Sequence, residues 1–221
     1  MKKLGIITLG LTPDGEYLNN FLSSLGKTLS DEWNSIKGVH DYKHINPAEL
    51  MDYDALVLSP GTAKVGLPQT RAEIDPHVLN LYNLIQNAAN ENIPILGINA
   101  GHMAINNAYN WAIDRVPDSE KEKYQSAHEI TVSSLPYPVF EGIDKLAFQL
   151  SNTYAVLPEK KQKRRPGQKR VIQLLAFMDT VLVSGIDSAA PIYSAQFNIE
   201  DGTQKFFENY FRLASEYSGD N

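Results

Sequence analysis

Short, fully apolar runs alternate along this chain with longer stretches whose apolar residues recur at helical spacing. That alternation predicts an α/β class with a mainly parallel central sheet flanked by helices. Leu4 to Leu9 reads as a buried first strand. Tyr17, Phe21, Leu22, Leu25, Leu29 and Trp33 predict helical structure over about 16–36, broken near Gly26, with Ser30 or Asp31 capping a second helix. Val39 to Ile45 and Ala55 to Leu58 follow as strands, then a helix over about 76–90 and a strand at Pro94 to Ile98. The next helix is expected from Ala100 through about Ile113. Beyond it the pattern shifts to strands: Ile130 to Val132, Ala147 to Leu150, Val171 to Phe177 and Pro191 to Phe197. These imply a small antiparallel addition in the second half. A last helix over about 203–218 buries Phe206, Phe207, Tyr210, Phe211 and Leu213. Neither a repeat nor a linker divides the sequence, so residues 1–221 read as one domain.

The stretch Ile95-Leu96-Gly97-Ile98-Asn99-Ala100-Gly101-His102 concentrates the chemical interest. A buried strand, one exposed residue and small residues opening a helix form the pattern of a nucleophile elbow. The sharp turn needs small neighbours, and the helix start offers backbone N–H groups and partial positive charge.

This stretch resembles the Gly-Ile-Cys-x-Gly-His-Gln elbow of class I glutamine amidotransferases, with Asn99 in the cysteine slot and Met103 in the glutamine slot. Two further motifs fall in the family's order. Leu58-Ser59-Pro60-Gly61 resembles the loop that supplies an oxyanion-hole amide. Pro191-Ile192-Tyr193-Ser194-Ala195-Gln196-Phe197-Asn198-Ile199-Glu200 resembles the Tyr-Gly-Val-Gln-Phe-His-Pro-Glu block, with Asn198 in the histidine slot and Glu200 retaining the glutamate. The terminal segment Phe206 to Phe211 resembles the family's last helix, and the likeness spans about 4–213.

The resemblance implies a thiolate nucleophile and an imidazole base, and both are replaced here. A carboxamide neither titrates near neutral pH nor attacks an amide, so Asn99 forms no thioester and Asn198 accepts no proton. Members of such a triad act as a unit, so losing either costs orders of magnitude. Met103 replaces an amide side chain that the family uses near its substrate. Asn152 to Val156 aligns with the family's Arg-Tyr-His-Ser-Leu, which places Ala155 where a serine holds the substrate. Ser59, Thr62, His102 and Ser194 lie in or near the motifs as candidate replacement groups, His102 being a structural member of the elbow helix in the family. The triad positions Asn99, Asn198 and Glu200 are thus expected to be degenerate, and Gly61, Asn99, Ala100 and Met103 are the candidate ligand-binding residues.

Composition narrows the remaining classes. There is no cysteine, which removes disulfides and zinc-thiolate sites, and the five histidines show no metal-ligand spacing. Neither a metal nor a cofactor is expected, and no P-loop or dinucleotide fingerprint is present. A net charge of −6 disfavours general nucleic-acid binding. The basic run Lys160 to Arg170 reads as a solvated loop or as a docking surface for an acidic partner. No apolar run reaches membrane-spanning length, and a cytoplasmic location is expected. The residues therefore point to a scaffold, regulatory or ligand-binding subunit of a synthase or another protein complex, or a homo-oligomer. The alternative is an amidotransferase or hydrolase working through altered residues on the same scaffold.

Overall fold

The structure is a computed structural model describing residues 1–12, 15–33, 36–63, 65, 75–120, 122, 125–150, 153–161, 172–178, 180–186 and 190–219. Its centre is a seven-stranded sheet. In chain order the first elements are β1 (Leu4–Leu9), α1 (Glu16–Gly26), β2 (Ile36–Asp41), a short α2 (Pro47–Leu50), β3 (Ala55–Gly61), α3 (Pro76–Asn90), β4 (Ile95–Ile98) and α4 (Ala100–Ala108). The second half adds β5 (Trp111–Arg115), β6 (Ala127–Thr131), β7 (Lys145–Gln149), β8 (Tyr154–Lys161), β9 (Gln173–Phe177), β10 (Val181–Ile186), β11 (Ile192–Ala195) and α5 (Gln204–Gly219). The sheet order is β2-β1-β3-β4-β11-β10-β9. Strands β2 through β11 in that order run parallel, while β10 and β9 are antiparallel. Two-stranded antiparallel ribbons, β5-β8 and β6-β7, complete the expected addition.

The apolar runs are buried on both faces, as a covered parallel sheet demands. Leu4 and Ile6 of β1, Ala55 and Val57 of β3, and Leu96 and Ile98 of β4 join one core with α1 and α5. Their alternating neighbours Ile7, Leu9, Leu56, Leu58 and Ile95 join the opposite core with α3 and α4. This period of two divides each strand between two helix layers. On the first face, Phe206 and Phe207 meet edge-on at 5.2 Å, and Phe197 meets Phe206 at 5.6 Å. Each fully buried ring contributes about 1.5–3 kcal/mol of hydrophobic stabilisation. Trp33 locks α5 to the α1 side by donating its indole N–H to the Phe211 carbonyl at 3.1 Å. On the other face, Asp75 starts α3 by accepting the His77 N–H at 2.9 Å, ahead of a proline placed where a helix tolerates one.

Several expected boundaries move. The helical region after β1 ends at Gly26. Asp31–Trp33 is only a 3-10 turn, and Ile36 already begins β2, which stops at Asp41. Leu18, Phe21 and Leu25 form the buried face of α1, whereas Tyr17 is 53% exposed. The elbow helix stops at Ala108 rather than near Ile113, because Asn110 adopts φ +67° and reverses the chain into β5. Strands β8 and β10 were not expected at all. The basic run Lys160 to Arg170 lies outside the described residues, save the β8 backbone at Lys160 and Lys161.

Candidate functional site

The carboxyl ends of β1, β3 and β4 converge on Asn99, where ligands bind in open α/β sheets. Asn99 alone links β4 to α4 and sits at φ +52°, ψ −101°. That conformation lies outside the left-handed helical basin that asparagine tolerates, and such strain costs about 1–3 kcal/mol. The surroundings hold it there. The Asn99 N–H donates to the Ala195 carbonyl at 2.8 Å, and its own carbonyl accepts the Met103 N–H at 3.1 Å. Glycines at 97 and 101 make the close approach possible. A Cβ on Gly97 would sit 2.5 Å from the Gly101 carbonyl oxygen, and one on Gly101 would collide with the Leu58 carbonyl.

The Asn99 side chain caps nothing and makes no hydrogen bond among the described residues. It lines a cavity of about 730 Å³. Gly61, Thr62 and Ala63 form one wall; Gly10, Leu11, Thr12 and Gly15 form another; Tyr17, Leu18, Met103, Thr153 and Tyr154 complete it with Val65. The first two walls are tied together. Ala63 N–H donates to the Leu9 carbonyl at 3.0 Å, and the Thr62 hydroxyl donates to the Gly10 carbonyl at 2.9 Å. Among the described lining residues none carries a charge.

The anticipated residues distribute unevenly. Gly61, Asn99 and Met103 meet in this cavity. The Ala100 and Ala155 side chains are fully buried and not among its lining residues. Asn198 and Glu200 line a second cavity of about 270 Å³, together with Pro60, Phe21, Asn20 and Ser24. Tyr17 borders both cavities. The Glu200 carboxylate accepts the Gln149 N–H of β7 at 3.2 Å, so it braces the β6-β7 ribbon. Thr203 pins the same turn: its hydroxyl donates to the Asn198 carbonyl at 2.9 Å and accepts the Glu200 N–H at 2.9 Å.

Of the candidate replacement groups, Ser59, His102 and Ser194 are buried and structurally committed, whereas Thr62 is exposed and lines the Asn99 cavity with its hydroxyl on the Gly10 carbonyl. Ser59 is fully buried, and its hydroxyl accepts the Leu9 N–H at 3.1 Å. Ser194 Oγ lies 2.9 Å from His102 Nδ1 and 2.6 Å from Ser184 Oγ. This pairing has the contacts of a serine–histidine dyad, yet both residues are 0% exposed beneath the sheet. Burial lowers the His102 pKa to about 3, against a partial offset from backbone hydrogen bonds to Val181 and Ser194. The imidazole is neutral and sealed, and no substrate carbonyl reaches Ser194. The Asn106 amide donates to the His102 carbonyl at 2.8 Å, which completes a structural polar network.

The loop after β1 and Tyr17 are lining residues that no sequence motif had marked, whereas Thr153 and Tyr154 fall within the segment aligned with the family's Arg-Tyr-His-Ser-Leu. The signal for the loop and Tyr17 was positional: each lies near the carboxyl edge of the sheet, beside the elbow.

Comparison with known proteins agrees with this geometry. The class-I glutamine amidotransferase family model matches residues 17–203, and the chain belongs to that family. Curated protein sequences give no match. Among solved structures, the chain is similar to a Thermoplasma acidophilum protein provisionally assigned to GMP synthase as one of its subunits. That pair shares 17% identity with a TM-score of 0.67, over 100% of this chain and 97% of the other. The CTPS glutaminase domain of Trypanosoma brucei, solved with acivicin bound, superposes with a TM-score of 0.66 at 13% identity, covering 98% and 94% of the two chains. A glutamine amido transferase from Methylobacillus flagellatus gives 0.59 at 16% identity, covering 93% of this chain and 73% of that one. At these identities the structural likenesses establish the fold alone.

Proposed function

We propose that this chain is a glutamine amidotransferase-fold protein without glutaminase activity, acting as a ligand-binding or regulatory subunit of a larger assembly. The observation that carries this reading is Asn99 itself. A non-nucleophilic carboxamide occupies the strained elbow, which the protein maintains at an energetic cost. Asn198 supplies no base, and it lines a different cavity from Asn99. The remaining serine–histidine pair is buried. Thioester formation therefore has neither a nucleophile nor a proton acceptor.

A synthase is the natural class of partner. The structural neighbours include a protein provisionally assigned to GMP synthase, and the glutaminase domain of CTPS. Among the described residues no helix is long and apolar enough to cross a membrane. The test is covalent labelling of the purified chain with a glutamine-mimicking electrophile, followed by intact-mass spectrometry. No adduct is expected. A stoichiometric adduct on any residue would overturn the reading, and mapping it would identify the substitute nucleophile.

A further inference from the structure

The chain contains three asparagine–alanine pairs: Asn87-Ala88, Asn99-Ala100 and Asn107-Ala108. The first and last lie within α3 and α4, where ψ near −42° turns the following nitrogen roughly 80° away from the asparagine Cβ. The alanine N–H there also closes a helical hydrogen bond. Asn99 differs on both counts. Cβ lies about 120° around Cα from the backbone nitrogen, so ψ −101° brings the Ala100 nitrogen to within about 20° of eclipsing the Asn99 Cβ. A five-membered ring through Cα, Cβ, Cγ, that nitrogen and the Asn99 carbonyl carbon needs this arrangement. Ala100 opens α4, so its N–H has no intrahelical carbonyl behind it, and its methyl group crowds the nitrogen little. The Asn99 carboxamide forms no cap and makes no hydrogen bond among the described residues, so it is free to swing its Cγ toward that nitrogen. The cavity it lines admits water and lets ammonia leave. Two influences compete at the nitrogen. Full burial of Ala100 slows removal of its proton, while the partial positive charge of the helix start assists it.

We propose that Asn99 is a self-modification site, at which the Ala100 backbone nitrogen attacks the side-chain carbonyl carbon of Asn99 and closes a succinimide. The N–Cγ bond forms, the Cγ–Nδ2 bond breaks, and ammonia leaves with the proton that the Ala100 nitrogen gives up. Water then opens the ring at either carbonyl and leaves aspartate or isoaspartate at position 99. Either product sets a carboxylate at the start of α4, where an anion is favoured. The step consumes no glutamine and releases one ammonia per chain, so it goes beyond the non-catalytic reading and does not depend on it.

The three pairs share one local sequence, so they serve as one another's controls. The full chain is incubated at mildly alkaline pH, folded and in guanidinium chloride, and peptide mapping follows asparagine, succinimide, aspartate and isoaspartate at each site. In denaturant the three are expected to react at similar rates. In the folded chain Asn99 is expected to react roughly tenfold or more faster than Asn87 and Asn107, because the elbow holds the reacting atoms in line. Solvent access works against that order, since Asn87 is exposed and Asn99 is half-buried. Asn99 is also expected to react faster folded than unfolded. Hydroxylamine, which cleaves a succinimide, should split the folded chain between Asn99 and Ala100. An Asn99 that reacts more slowly folded than in denaturant, or no faster than the two helical asparagines, would overturn the proposal, because burial and rigidity would then outweigh alignment. That result leaves the non-catalytic reading intact, which fails only on covalent labelling or glutamine turnover.

Discussion

Replacing Asn99 with glycine should make the protein more stable. At φ +52°, ψ −101° the asparagine backbone carries about 1–3 kcal/mol of strain that glycine does not feel. Glycine returns part of this through its larger entropy loss on folding, about 0.5–1 kcal/mol. The side chain forms no cap and no hydrogen bond among the described residues, so little else is lost with it. The net expectation is a gain of up to about 2.5 kcal/mol, which raises Tm by about 2–4 °C per kcal/mol in a chain of this size. Urea denaturation, followed by fluorescence of Trp33 and Trp111, reads the change as a shifted midpoint at constant slope. Asn99→Ala supplies the opposing arm. Alanine tolerates this backbone less well than asparagine, so its midpoint should fall. Opposite signs for the two variants are the signature of a strained elbow. A glycine variant that is less stable than the native chain, or an alanine variant that is as stable, would refute the reasoning, because the conformation would then be relaxed for asparagine.

Other consequences follow from the buried network and from the turn beside Glu200. His102 titrates near pH 6.5 when exposed, but only near pH 3 in the fold. Between those values the unfolded chain binds a proton that the folded chain does not, so stability falls as pH drops through that window, by up to about 1.4 kcal/mol per pH unit from this one group. His102→Gln, compared with the native chain by denaturation at pH 7 and pH 4.5, should show a shallower loss; an equal slope would show that other groups dominate. Gly101→Ala forces a methyl group into the Leu58 carbonyl and should cost about 1–3 kcal/mol in urea midpoint or prevent folding. Thr203→Val removes hydrogen bonds to both Asn198 and Glu200 and should lower stability by about 1–3 kcal/mol, with faster hydrogen exchange at the Gln149 amide.

The sequence was most legible where one physical demand dominated. Strands β1 and β4 are apolar at nearly every position because both faces are covered, and Gly97 and Gly101 mark a turn whose close approaches exclude Cβ atoms. It was least legible where pairing overrides composition. Strand β10 carries Ser184 and Gly185 within its apolar run, yet it is fully buried between β9 and β11. Strand β8 contains Pro158, Glu159 and Lys160, and it is a strand because β5 pairs with it. The elbow helix looked longer than it is because Trp111 and Ile113 are apolar, but they alternate with less buried residues as a strand does. At the site, Asn99, Gly61 and Met103 stood out through the family motifs. Tyr17 read as a core residue at helical spacing, although it opens onto both cavities. Asn99 lines one cavity and Asn198 and Glu200 another, with Tyr17 bordering both, an arrangement that no single motif encodes.

The central claim is that a retained amidotransferase fold has lost glutamine chemistry at Asn99. Its most direct test is release of glutamate and ammonia from glutamine by the purified chain, alone and with any co-purifying partner. The account requires no release above the uncatalysed background under either condition. Sustained glutamine turnover by the native chain, abolished by Asn99→Gly, would contradict it.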